Sequence, residues 1–155
     1  MKILMVCLGN ICRSPLAEGI MKSKIQQKGL DWEVDSAGTG HWHIGQLPDK
    51  RSIAIAKKYN IDITDQRGKQ LRSKDLDTFD RIFAMDTANY RDILRLATTD
   101  TQREKVDLIM NLLNTDSNQD VPDPYYDDNG FEEVFRMLEA ACDAFVEKMA
   151  SVGVQ

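Results

Sequence analysis

Lys2-Ile3-Leu4-Met5-Val6-Cys7-Leu8-Gly9-Asn10-Ile11-Cys12-Arg13-Ser14-Pro15 carries the deciding pattern of this chain. The run Lys2 to Val6 is short, apolar after its first residue and β-branched at two positions, as a buried strand requires. Beyond it, Leu16, Ile20, Met21 and Ile25 recur at helical spacing with polar residues between them. Cys7 therefore stands at the carboxyl end of a first strand, and Leu8 to Arg13 lead into a helix N-terminus whose first N–H groups lack intrahelical partners. A phosphate dianion held there meets N–H donors, the positive end of a helix dipole and the planar fork of Arg13. The same field favours a thiolate at Cys7, and Ser14 is placed to donate its hydroxyl to that sulfur. Gly9 and Asn10 suit a tight loop that needs left-handed backbone angles. A core cysteine and a surface arginine would require none of this context, so the pattern outlines a thiol phosphatase site.

Outward from this loop, strand-like and helix-like segments alternate. Trp32 to Ala37, Arg81 to Met85 and Val106 to Met110 read as strands; Asp49 to Tyr59, Thr87 to Leu96 and Phe131 to Met149 read as helices. The alternation predicts an α/β fold, three layers in the order α/β/α, with a central four-stranded parallel sheet and the phosphate loop after its first strand. With 155 residues, no internal repeat and no Gly-, Pro- or Ser-rich linker, residues 1–155 are expected to form a single domain. The stripe Phe131, Val134, Phe135, Leu138, Cys142, Phe145, Val146, Met149 has helical period and assigns Cys142 to the core. Three cysteines, one of them a working thiol, point to a reducing cytoplasm rather than secretion. The N-terminal apolar run is too short for a signal sequence, and no membrane-spanning run exists. A net charge of −5 argues against nucleic-acid and anionic-membrane partners. No cofactor or metal is expected: His41 and His43 have no ligand-spaced partners.

The longest polar segment, Asn114 to Gly130, contains Asp123-Pro124-Tyr125-Tyr126. Placing Gly130 sixth in a calcium loop would put Tyr125 first and Arg136 twelfth, and neither supplies a carboxylate. Hydrolysis through a thiol needs a second group, which protonates the leaving oxygen and later activates water. One carboxyl can do both, although Asp120, Asp123, Asp127 and Asp128 also read together as a solvated loop. Asp86, after the third strand, reads as a helix N-cap rather than a catalytic group.

The phosphate loop strongly resembles that of the low-molecular-weight protein tyrosine phosphatases, Cys-x-Gly-Asn-x-Cys-Arg-Ser-Pro. The likeness continues through Asp35-Ser36-Ala37-Gly38-Thr39, Met85-Asp86 and Asp123-Pro124-Tyr125-Tyr126, and so covers roughly the whole chain. The resemblance implies hydrolysis of protein phosphotyrosine through a phosphocysteine, with Cys7 as nucleophile, Arg13 as phosphate clamp and Asp123 as general acid and then base. It implies phosphate binding by Leu8, Gly9, Asn10, Ile11, Cys12 and Ser14, an aromatic cleft of Trp42, Tyr125 and Tyr126, and Ser36 buttressing Asn10 from behind. By the resemblance, Cys12 is a resolving thiol for oxidised Cys7; its residue type alone equally fits a small buried support. Some members place a histidine behind the loop, near Asp65 or Gln66, where this chain has none. Two enzymes of the same fold are alternatives. An arsenate reductase relays a disulfide through further cysteines, and none lies between Asn60 and Leu113. A phosphoarginine phosphatase carries threonine where Ile11 stands, and a bulky Ile11 suits an aryl group better. A phosphopeptide-binding module would not need both Cys7 and Asp123, and measurable turnover would exclude it. The expectation is a monomer acting on phosphotyrosine-containing proteins.

Overall fold

In the computed structural model, which describes residues 1–152, four parallel strands form one sheet: β1 (Lys2–Cys7), β2 (Glu33–Gly38), β3 (Arg81–Ala84) and β4 (Val106–Leu108), in the order β2-β1-β3-β4. β1 pairs with β2 from Lys2↔Glu33 to Cys7↔Gly38 and with β3 from Ile3↔Arg81 to Val6↔Ala84. The chain runs to one side of β1 and then crosses to the other. That reversal opens a crevice at the carboxyl ends of β1 and β3, where ligands of such sheets bind.

The alternation of side chains along β1 divides the core into two layers. Ile3 and Met5 join a cluster with Leu16, Ile20 and Met21 of α1 (Arg13–Lys28) and Phe135, Leu138, Cys142 and Phe145 of α6 (Phe131–Ser151). Leu4 and Val6 join Ile82, Ala84, Leu108, Leu76 of α3 (Asp75–Thr78) and Ile93 of α4 (Thr87–Leu96) on the other face. Burial on both faces explains why the central strand is continuously apolar. The three-layer α/β/α arrangement is as the sequence implies, and Cys142 is fully buried in the core as its helical stripe requires. The remaining helices are α2 (Lys50–Lys58) and α5 (Asp100–Glu104).

Four elements differ from the sequence reading. The fourth strand stops at Leu108 because its partner β3 ends at Ala84, opposite it; Ile109–Leu112 then curls into a 3-10 turn while Ile109 and Met110 stay buried. α3 and α5 have too few turns to show an apolar period, although the Thr99/Gln102 capping box that starts α5 is visible in the sequence. Pro124–Tyr126 forms a 3-10 turn within the polar segment, with Asp123 accepting the Tyr125 N–H at its start.

Gly38, at the end of β2, supports the phosphate loop. A Cβ at this position would lie 2.7 Å from the Leu8 carbonyl oxygen and 3.1 Å from the Asn10 nitrogen, both of them backbone atoms that cannot rotate away. Gly38→Ala should therefore cost about 1–3 kcal/mol, read as a lowered melting temperature together with weaker binding of inorganic phosphate. Wild-type values for both would mean that the loop tolerates displacement from β2.

Candidate active site

Cys7 ends β1 with only 3 % of its surface exposed. Its Sγ accepts the backbone N–H of Asn10 at 3.2 Å and lies 3.0 Å from Ser14 Oγ. Asn10 adopts φ +57°, the left-handed turn that aims this N–H inward, as an asparagine tolerates. The expectation for Gly9 is corrected: its φ is not in the left-handed region, and the glycine instead admits His43, whose Cδ2 would stand 3.1 Å from a Cβ there. Among the described residues, the N–H groups of Gly9, Ile11 and Cys12 donate to no other residue. They are therefore free to donate to an anion in the loop.

Arg13 opens α1 and is 3 % exposed. Its Nη1 donates to Asp86 Oδ2 at 2.6 Å and to the Val121 carbonyl at 2.9 Å, while Nη2 stands 3.7 Å from Asp123 Oδ2. Burial opposes the charge, yet Cys7, Asp86 and Asp123 outweigh it and push the guanidinium further up. Asp86 also accepts the Asn89 N–H and so caps α4, as its sequence position implies. Its pairing with Arg13 is a second role that the sequence concealed, because the two residues are 73 positions apart.

Asn10 is the centre of the loop's support. Its Nδ2 donates to Ser14 Oγ at 2.8 Å and Ser36 Oγ at 3.0 Å, and its Oδ1 accepts the Lys69 N–H at 3.0 Å. Ser36 thus stands where the resemblance puts it, and a backbone N–H from Lys69 holds the carbonyl side without any histidine. Gln66, buried nearby, donates instead to the Pro15 carbonyl.

A cleft of about 240 Å³ opens above the loop. Cys7, Leu8, Gly9, Ile11, Cys12 and Arg13 line it, and Trp42, Asp123, Tyr125 and Tyr126 are gathered around it together with His43, which sequence reasoning did not include. Trp42 and Tyr126 are 60 % and 94 % exposed, and so present broad aromatic surface to water. Ile11 packs with Cys12, Phe131 and Ile55 beneath the cleft. Burial pushes the Cys12 thiol up to about 12, helped by Asp49, Cys7 and Asp123, so Cys12 stays protonated at neutral pH. Of the other loop acids, Asp120 accepts the Thr87 N–H, Asp127 the Asn129 N–H, and Asp128 pairs with Arg51. Asp123 is the member of that group lining the cleft, with its side chain 44 % exposed. Arg51 is a further residue the sequence did not flag. It pairs with Asp49, lies 5.6 Å from the Tyr125 ring centroid and 4.7 Å from that of Phe131, and thereby ties α2 to the acid loop.

The family profile described as low molecular weight phosphotyrosine protein phosphatase matches residues 2–153. The chain belongs to this family. It is 37 % identical over 153 residues to the low molecular weight phosphotyrosine protein phosphatase of Schizosaccharomyces pombe, covering 96 % of this chain and 97 % of that one. The crystal structure of a protein tyrosine phosphatase from Entamoeba histolytica superposes with a TM-score of 0.91 at 38 % identity, covering 99 % of each chain. A Drosophila arginine phosphatase superposes with a TM-score of 0.89 at 32 % identity, covering 96 % of this chain and 97 % of that one. No described helix is long and apolar enough to cross a membrane, and no group of three or more potential metal ligands occurs among the described residues.

Asp86→Ala should remove both the α4 cap and the charged partner of a buried guanidinium, a loss of about 3–5 kcal/mol for the broken pair. Asp86→Asn, which keeps an acceptor for the Asn89 N–H, should retain about 1 kcal/mol of this. Denaturant unfolding measures both. A loss in Asp86→Ala no larger than that of a cap alone would show that the pair with Arg13 adds no stability.

Proposed function

We propose that the protein hydrolyses phosphotyrosine in protein substrates through a phosphocysteine intermediate. The observation that carries this reading is the meeting of Cys7 Sγ, the Arg13 guanidinium and the Asp123 carboxylate in one cleft edged by Trp42, Tyr125 and Tyr126. Cys7 attacks phosphorus in line with the phenolic oxygen, and Asp123 gives that oxygen its proton as the P–O bond breaks. Asp123 then takes a proton from water, which attacks the phosphocysteine, and Ser14 donates to the sulfur as it departs. Arg13 spends Nη1 on Asp86 and Val121, while Nε and Nη2 donate no hydrogen bond among the described residues. This leaves one two-pronged edge to clamp equatorial oxygens beside the loop N–H groups of Gly9, Ile11 and Cys12. Cys12, lining the same cleft, is the resolving thiol of this reading.

Phosphoarginine is the second candidate substrate, on the strength of the Drosophila relative. Ile11, a bulky apolar residue lining the cleft, favours the aryl phosphate. We further propose a single-domain monomer working in a reducing cytoplasm, in keeping with three free cysteines and a net charge of −5. The protein is expected to act without metal or cofactor and without a nucleic-acid or membrane partner.

Turnover of phosphotyrosine, phosphoserine and phosphoarginine, measured side by side, tests the substrate. Phosphotyrosine should be strongly preferred, and Cys7→Ser should abolish turnover while leaving the fold and phosphate binding intact. A Cys7→Ser variant within a few-fold of wild type would sink the thiol mechanism.

Asp123→Ala makes a quantitative demand. Loss of a positioned proton donor costs about 10²–10⁴-fold, and only as far as the leaving group needs the proton. The variant should therefore slow release of tyrosine far more than release of a nitrophenolate. Single-turnover rates plotted against leaving-group acidity should be steeper for Asp123→Ala than for wild type. Parallel slopes would remove Asp123 from the acid role.

A further inference from the structure

Behind the phosphate loop lies a carboxylate that the chemistry above leaves without a role. Glu18, in the first half of α1, has a side chain only 4 % exposed; Oε2 pairs with Lys22 Nζ at 2.5 Å and Oε1 accepts the Ser36 hydroxyl at 2.6 Å. Burial pushes the carboxyl up, while the hydrogen bonds from Lys22 and Ser36 pull it back.

The hydrogens of this network can be assigned one by one. The Lys69 N–H points at the Asn10 carbonyl oxygen, so both amide hydrogens of Asn10 lie on the other side and go to Ser14 and Ser36. Each serine oxygen then accepts from Asn10 and must send its own hydrogen elsewhere. Ser14 sends its hydrogen to Cys7 Sγ, which fixes the direction of that 3.0 Å contact. Ser36 sends its hydrogen to Glu18, whose other oxygen is paired with Lys22. Asn10 is thus a fork with an acceptor at the end of each arm, Cys7 on one and Glu18 on the other. Without Glu18, the buried Ser36 hydroxyl has a hydrogen and no acceptor. An Asn10 flip would relieve it by presenting the carbonyl to both serines. Ser14 would then donate to Asn10 in place of the sulfur, and the Lys69 N–H would lose its partner.

We infer that Glu18 is a positioning residue for Cys7: by accepting the Ser36 hydroxyl it holds the Asn10 amide in the orientation that makes Ser14 donate to the sulfur. This rests on Cys7 being the nucleophile, which Cys7→Ser tests separately. Glu18→Leu should lower the single-turnover rate of phosphocysteine formation about 10- to 100-fold, with KM within about 3-fold of wild type. Iodoacetate alkylation of Cys7 at fixed mildly acidic pH, followed by mass spectrometry, should slow in step. Glu18→Gln keeps an oxygen to accept from Ser36, while the half-exposed Lys22 can turn to water, so this variant should stay within about 3-fold of wild type in both measurements. Wild-type rates in Glu18→Leu would overturn the inference, as would a Gln variant as slow as the Leu variant. Should Glu18→Leu not fold, Glu18→Met removes the same acceptor with an unbranched, adaptable side chain of similar length and should give the same loss; an undiminished rate there would also overturn it. Failure of the catalytic reading itself would appear elsewhere, as activity in Cys7→Ser.

Discussion

A guanidinium withdrawn from water must be matched by opposing charge and acceptors, and the arrangement around Arg13 follows from that demand. Its partners come from two distant parts of the chain: Asp86 beyond β3, and the Val121 carbonyl and Asp123 in the polar segment. Val121 is itself tied by its N–H to the Met85 carbonyl, and Asp120 accepts the Thr87 N–H. The segment that carries the proposed acid is therefore fastened at its base to the end of β3 while Asp123 remains partly exposed. Matching one buried charge brings the ends of two strands and a long polar loop to a single point at the switch in strand order.

The sulfur is treated in the same manner from the other side. Its neighbours are donors, the Asn10 N–H and the Ser14 hydroxyl, and the hydroxyl's direction is settled by an amide that is itself settled by Lys69 and Ser36. Because these donors are oriented before any substrate arrives, little reorganisation is needed when charge moves on and off the sulfur. The apolar packing of Ile11 with Phe131 and the aromatic surface at the cleft leave recognition of the organic group to a different set of residues from those that hold the phosphate.

Much of this was legible in the amino-acid sequence, for identifiable reasons. The phosphate loop is contiguous, so strand, loop and helix start announce themselves within fourteen residues, and the α6 stripe is long enough for its period to be unambiguous. Cys7, Arg13, Ser14 and Asn10 fall where local pattern puts them. What was hidden depends on distance along the chain. The Asp86–Arg13 pair, the Lys69 N–H on Asn10, Glu18 beneath Ser36 and Arg51 beside Tyr125 each join segments that only the tertiary fold brings together. α3 and α5 escaped because four or five residues cannot display a helical period, and the extra residues assigned to β4 were apolar for burial in a turn rather than for pairing. Gly9 shows a subtler failure. The residue type was rightly singled out, but its φ is not left-handed, and a Cβ there would crowd the His43 ring rather than any backbone atom.

The dipeptide Gly68-Lys69 touches both halves of the site. Gly68 exchanges backbone hydrogen bonds with the turn that follows His43, accepting from the Gly45 N–H and donating to the Gln46 carbonyl, and a Cβ on it would stand 2.1 Å from the His43 carbonyl oxygen; the next N–H holds Asn10. The height of the aromatic rim above the phosphate seat is accordingly gauged by a single peptide unit, like a spacer between two plates. The rim side chains decide what fits between, while the spacer sets the reach from rim to sulfur. Shape of the opening and depth of the seat are in this way assigned to different atoms.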